Sequence, residues 1–178
     1  MEHSQRLLVT AQEARALISL QERDEKGNWC QRLFTRGWIG KNGLGKEREG
    51  DNKTPVGSLK FLFAFGSKEN PGTVFPYIKV DERHYLVDDV SSAYYNQLVE
   101  EGTVERDWNS AEHLVSMGCA YHYALATDYN KDCAPGKGSG IFLHCEQGHP
   151  TAGCISVPEP VMKAILQRVR QDCMIEIS

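Results

Sequence analysis

The sequence predicts a mainly β domain with a few short helices and one amphipathic helix near the C-terminus. Three observations carry this. Apolar residues alternate with period 2 through most of the first half. Clusters of Gly, Asn and Asp punctuate those stretches as turns. A clear helical stripe is confined to the residues after Pro158. With 178 residues, 40% hydrophobic and 25% charged, the chain has the size of one domain and reads as a single unit over 1–178. A fold of that size buries roughly 70% of the surface its unfolded chain exposes, so whole-chain disorder is excluded.

Taken in order, Leu7-Leu8-Val9 and Ala16-Leu17-Ile18-Ser19-Leu20 read as strands, and the charged run from Gln21 to Asn28 is a hairpin-type turn. A third strand runs from about Trp29 to Ile39. Residues 41–54 are Gly-rich and charged without apolar period, and so form a loop. Alternation resumes from Val56 to Phe65, where Leu59, Phe61 and Phe63 are expected on one face and Lys60, Leu62 and Ala64 on the other. Short helices are expected at Ser92–Glu100 and at Ser110–Met117, the second with Asn109 or Ser110 as its cap. Strands follow at Ala120–Thr127 and Gly140–Cys145. Pro158-Glu159-Pro160 opens the one long helix, whose apolar stripe is Val161, Met162, Ile165, Leu166 and Val169. Met174 to Ile177 closes the chain as a strand.

The formal net charge of −4 gives no general attraction to nucleic acid or to an anionic membrane surface. No apolar run approaches the length needed to cross a bilayer. The start of the chain is polar, and Leu7-Leu8-Val9 is too short for a signal-peptide core, so the chain as written reads as cytosolic. Its six cysteines form no Cys-x-x-Cys pair, which removes a zinc ribbon and a thioredoxin motif. Most of them are expected as small buried hydrophobes.

The segment from Gly138 to Pro158 carries the chemistry. It places His144 at the end of an apolar strand and Cys154 ten residues later, after Gly153. A rigid strand end with a loop folding back can bring imidazole and sulfur together. Gly153 lets the backbone turn sharply and leaves amide donors exposed. Nucleophile, base and oxyanion donors are then present, with the donors assigned to the amides of Gly153, Cys154 and, more weakly, Ala152. A free thiol titrates near 8.5, so holding it as thiolate at neutral pH costs roughly 2 kcal/mol, a penalty an adjacent imidazole removes by taking the proton. A zinc site shared by His144, Cys145, His149 and Cys154 is disfavoured, because neighbours on a strand point to opposite faces. No cofactor or metal is expected. His113 and His122 read as surface or satisfied core histidines, although His113 has a position from which it could line a cleft.

At His144 to Ser156 the sequence resembles the signature of the YkuD-type L,D-transpeptidases, a histidine joined to a downstream Ser/Thr-His-Gly-Cys. Lys53-Thr54-Pro55-Val56-Gly57-Ser58-Leu59 is similar to the family's Thr-Pro-x-Gly strand start. Gly40 to Gly45, Arg48 to Asp51 and Asp107 to Leu114 resemble a stand-alone branch of that family. The resemblance spans about Leu7 to Ile177. It implies a β-sandwich-like catalytic domain and acyl transfer on peptidoglycan stem peptides, with Cys154 as nucleophile, His144 as the catalytic histidine and Gly153 matching the residue before the cysteine. Cys154 would attack the carbonyl between an L-centre and a D-amino acid, release terminal D-alanine, and pass the thioester to an amine or to water. That substrate implies the cell envelope or periplasm.

The chain departs from the pattern in three places. Ala152 stands where the family usually has histidine, Ser156 where arginine or asparagine often follows, and the interval from His144 to Cys154 is short. Transpeptidase, L,D-carboxypeptidase and peptidoglycan amidase therefore stay open. A peptidoglycan-binding module without turnover is the alternative class, which an acyl adduct on Cys154 would exclude. An NlpC-type cysteine peptidase has the opposite order of cysteine and histidine. Thr54-Pro55 most economically starts a strand, and Trp108, Ser110 and Glu112 wall a cleft or simply pack.

Overall fold

The computed structural model describes residues 3–178. Its strands are β1 (Gln5–Gln12), β2 (Arg15–Arg23), β3 (Trp29–Trp38), β4 (Gly57–Gly66), β5 (Tyr77–Lys79), β6 (His84–Val87), β7 (Leu98–Glu100), β8 (Ala111–His113), β9 (Ala124–Thr127), β10 (Phe142–Cys145), β11 (Ile155–Val157) and β12 (Met174–Ile177). A 3-10 segment covers Leu114–Tyr121, and one α-helix, α1, covers Glu159–Arg168.

The main sheet runs β12-β1-β2-β3-β11-β10-β9-β4-β5, and β12 also pairs with β4. That last pairing closes the sheet into a barrel and corrects the expected sandwich. Closure is possible because β4 changes neighbours along its length. Gly57 to Lys60 pair with β12, whereas Ala64 to Gly66 pair with β5. A closed sheet leaves no long unpaired edge among these strands.

A register shift between Phe61 and Phe63 against β9 breaks the simple alternation expected in β4. Ala64 and Phe61 consequently share the main core, while Phe63 packs with Phe65 in a second cluster. Leu62 is left exposed. An extra residue in one strand of a pair reverses the facing of everything beyond it.

The core is built from the alternating residues that the pattern marks. Leu7, Val9, Ile18 and Leu20 are buried with Leu143, Cys145, Ile155 and Val157. Met162, Ile165 and Leu166 of α1 and the following Val169 join them, as their spacing predicts. Glu159 lies in the first turn of α1 and Arg168 in its last, both favourable to the helix dipole.

The two short helices expected in the middle of the chain do not form as expected. Residues 92–96 are bends and turns, and Leu98–Glu100 is strand β7. Ala111–His113 is strand β8, with helical turns beginning only at Leu114. These strands make a small antiparallel sheet, β7-β6-β8, on a cluster of Val87, Val99 and Trp108. Pairing with β6 overrides a weak helical propensity there. This sheet brings Glu112 toward the main barrel.

Candidate active site

Strands β10 and β11 are parallel neighbours, with His144 opposite Ser156 and Cys145 opposite Val157. Partners across a sheet share a face, and side chains alternate along each strand. His144 and Ser156 therefore lie on one side. Cys154, two residues before Ser156, falls on that side too, while Leu143, Cys145, Ile155 and Val157 turn into the barrel core. The connection between these parallel strands is only residues 146–154, short for such a crossover.

That short loop is held from outside. Thr151 donates its amide to the Ile39 carbonyl and accepts the Lys41 amide on its own carbonyl. The Thr54 hydroxyl, fully buried, accepts the Gly40 amide at 2.8 Å and donates to the Gly153 carbonyl at 2.7 Å. Thr54, in the Thr-Pro segment just ahead of β4, is thus the post on which the Cys154 loop hangs. Gly153 has φ +150°, and a Cβ there would lie 2.9 Å from the Lys53 carbonyl oxygen. Only glycine fits that close approach.

His144, Cys154, Glu112, Tyr121, His149 and Ser156 line a common cavity of about 210 Å³. A larger cavity of about 420 Å³, walled by Leu62, Phe63, Ile78 and Leu98, contains no imidazole. Chemistry favours the smaller one.

The protonation states follow from the contacts. His144 Nδ1 lies 2.8 Å from the Cys145 carbonyl, which can only accept, so Nδ1 carries the hydrogen. Burial drives the imidazole down to about 4 against that carbonyl, with His149 adding to the fall. His144 is thus neutral at pH 7, with its Nε2 lone pair free to take a proton. The Cys154 thiol donates to the Gly140 carbonyl at 2.9 Å and accepts the Phe142 amide at 3.3 Å. Burial of the sulfur pushes the thiol up to about 12. The Phe142 amide and the Lys46 cation oppose this, and the Glu112 carboxylate adds to it. At rest the thiol keeps its proton and faces Gly140, and no hydrogen bond joins it to His144 among the described residues. The expected thiolate is not the resting state.

The amides of the Cys154 loop differ in their engagement. The Gly153 amide is taken by the Thr151 hydroxyl at 3.1 Å, and that hydroxyl donates to the Cys154 carbonyl at 2.6 Å. Among the described residues no acceptor takes the amides of Ala152 or Cys154.

Of the other histidines, His149 reaches the cavity wall from an exposed position. His113 does not. It stacks on Tyr85 and bonds to the Glu82 carbonyl and Ser116. His122 pairs with Glu159 at 2.7 Å. Cys145 points away, its thiol 3.6 Å from the Tyr123 carbonyl. Among the described residues no three His, Cys, Asp or Glu side chains come together as a metal site.

Sequence reasoning missed the supports. Lys46 and Asp51 form a buried ion pair at 3.0 Å behind the Cys154 loop. Burial alone would raise the Asp51 carboxyl, but the amides of Glu47, Arg48 and Lys53 and the Lys46 ammonium hold it well below its ordinary range. The sequence signal for this pair is a Lys and an Asp within the Gly-rich, charged loop of residues 41–54. Tyr121 lies in the strand expected over Ala120–Thr127, but ends the 3-10 segment instead. It donates to Glu112 at 2.7 Å and sets its ring edge-on to His144.

A parallel β pair thus presents cysteine and histidine on one cavity, beside a Gly-Cys turn. The L,D-transpeptidase catalytic domain family, YkuD, matches residues 25–177. The chain belongs to that family.

No curated protein matches it. Among solved structures, the helical cell shape determining protein Pgp2 from Campylobacter jejuni is similar at 16% identity and a TM-score of 0.50, covering 99% of this chain and 48% of that one. A variant of the same protein aligns at 17% identity with a TM-score of 0.51, over 99% and 47%. Mycobacterium tuberculosis L,D-transpeptidase 1 aligns at 16% identity and a TM-score of 0.44, over 98% and 62%. The chain spans about half the length of the two Pgp2 structures, and at these identities the likeness is one of fold. Among the described residues no helix is long and apolar enough to cross a membrane.

Proposed function

We propose that the chain catalyses cysteine-dependent acyl transfer on peptidoglycan stem peptides in the cell envelope. The observation that carries this is the shared face of β10 and β11, which puts Cys154 and the free Nε2 side of His144 on one cavity. Substrate enters and the thiol leaves the Gly140 carbonyl. His144 Nε2 takes its proton as the sulfur attacks the carbonyl between an L-centre and a D-amino acid. The amides of Ala152 and Cys154 receive the oxyanion. Collapse breaks the C–N bond, and the imidazolium returns the proton to the departing D-alanine nitrogen, leaving a thioester. An amine of a neighbouring stem, or water, then attacks the thioester. Its proton passes through His144 to the leaving sulfur, and the thiol is restored.

Because thiol and imidazole are both neutral at rest, proton transfer accompanies attack instead of preceding it. The test is digestion of purified muropeptides with mass analysis of the products. Loss of D-alanine that disappears in Cys154→Ser is expected, with new stem-to-stem crosslinks marking transfer to an amine and shortened stems marking hydrolysis. Intact tetrapeptides with Cys154 reduced would overturn the proposal and favour a binding module.

A further inference from the structure

The resting thiol of Cys154 is bound more closely than the other hydrogen-bonded thiols. Its Sγ lies 2.9 Å from the Gly140 carbonyl oxygen. The thiols of Cys119, Cys133, Cys145 and Cys173 approach their carbonyl partners only to 3.8, 3.7, 3.6 and 3.7 Å. The Gly140 carbonyl therefore sets where the sulfur waits, and its direction depends on how Gly140 itself is held.

Gly140 has φ +59°, and a Cβ there would meet Leu86 Cδ2 at 2.3 Å. That backbone suits glycine, the residue least able to keep one conformation unaided. Asn96 supplies the constraint. Its Oδ1 accepts the Gly140 amide at 2.9 Å, and its Nδ2 donates to the Asn130 carbonyl at 2.8 Å. Asn96 is itself left-handed, at φ +60°, and its amide donates to the Val87 carbonyl at 2.8 Å. Asparagine tolerates that conformation better than most residues. One side chain thus ties the turn ahead of β7 to the loop between β9 and β10 and to the residue that takes the thiol proton.

We infer that Asn96 is a positioning residue for the reaction, fixing the Gly140 carbonyl so that the Cys154 proton is held away from His144 until substrate arrives. This rests on the acyl-transfer reading, because it assigns a control on the same nucleophile. Donation to a neutral carbonyl stabilises the thiol and not the thiolate. Freeing Gly140 therefore makes the sulfur easier to deprotonate. The titratable and charged groups that bear on the sulfur are Lys46, Glu112, Tyr121, His144 and His149. The Asn96 side chain bonds to none of them, so replacing it leaves their charges in place.

Vibrational spectroscopy tests this without turnover. Subtracting the Raman spectrum of Cys154→Ser isolates the S–H stretching band of Cys154, which is expected at the lowest frequency of the thiols in the chain. Asn96→Gly keeps the left-handed turn and removes the side chain. It should move that band toward the frequency of a free thiol. It should also speed iodoacetamide labelling of Cys154 at neutral pH about two- to tenfold, the range of one neutral hydrogen bond, while buried Cys145 and Cys173 stay protected. Asn96→Asp, which keeps an acceptor for the Gly140 amide, should retain the wild-type band and rate.

A free-thiol frequency in the wild type overturns the inference before any variant is made. An unshifted band in Asn96→Gly does the same, as does an aspartate variant that behaves like the glycine one. Faster labelling that extends equally to Cys145 and Cys173 marks general loosening and also overturns it. A failure of the catalytic reading looks different: wild-type Cys154 then resists acylation while its S–H band still responds to Asn96→Gly.

Discussion

Replacing Thr54 by valine removes one hydroxyl and almost nothing else. The side chain is buried, and the two residues have nearly the same shape, so packing around it is preserved. What is lost is the acceptor for the Gly40 amide and the donor to the Gly153 carbonyl. Each buried group left without a partner costs about 1–3 kcal/mol, so the two together predict about 2–6 kcal/mol. Against a typical total stability of about 5–15 kcal/mol this is a large share. Part of it is relieved if the loop detaches locally instead of the whole barrel unfolding. Two assays are therefore paired, urea unfolding followed by tryptophan fluorescence, and the rate at which iodoacetamide labels Cys154. Thr54→Val is expected to lower the unfolding midpoint, to accelerate labelling of Cys154, or both, with Thr54→Ser restoring most of the difference. A valine variant within about 0.5 kcal/mol of the parent (the ordinary scatter of a neutral surface change), with unchanged labelling, would refute the role of Thr54 as the post of the Cys154 loop.

Three further expectations follow from the same contacts. Gly153→Ala forces a Cβ to within 2.9 Å of the Lys53 carbonyl at φ +150°, and should cost about 1–3 kcal/mol in chemical unfolding while displacing the sulfur enough to slow acylation. His144 is held near 4 by burial, against an ordinary 6.5, so between those values the unfolded chain binds a proton that the folded one refuses. Stability should fall as pH drops through that window, by up to about 3 kcal/mol below pH 4, and urea melts of His144→Gln should show a correspondingly shallower acid loss. Lys46→Met leaves Asp51 buried without its cation, which should destabilise by about 3–5 kcal/mol in urea melts and move the pH midpoint of Cys154 alkylation upward.

Strands were legible in the sequence wherever one face is buried and alternation is strict, as at Leu7, Val9, Ile18 and Leu20. Helix α1 was legible because Pro, Glu and an apolar stripe agree over ten residues. Barrel closure was not, because pairing of β12 with β4 joins segments far apart in the chain and leaves no local mark. The bulge in β4 was hidden for the same reason, since Phe61, Phe63 and Phe65 look like a regular series. At the site, His144 and Cys154 were identifiable from residue type and from resemblance. Their common face depends on the parallel register of β10 and β11, which sequence spacing alone does not specify. Thr54 and Lys46 sit in a charged segment that reads as a loop, and Glu112 in one that reads as cleft wall or packing; long-range contacts place the first two in buried positions and Glu112 on the cavity.

The account stands on Cys154 as the thiol that accepts an acyl group. Its most direct test is to incubate the intact protein with a carbapenem and locate the adduct by peptide mass spectrometry, alongside Cys154→Ser and His144→Ala. A single adduct on Cys154 is predicted, absent in the serine variant and formed about two to four orders of magnitude more slowly without the imidazole. An adduct on Cys145 or another cysteine with Cys154 unmodified, or an undiminished rate in His144→Ala, would contradict it.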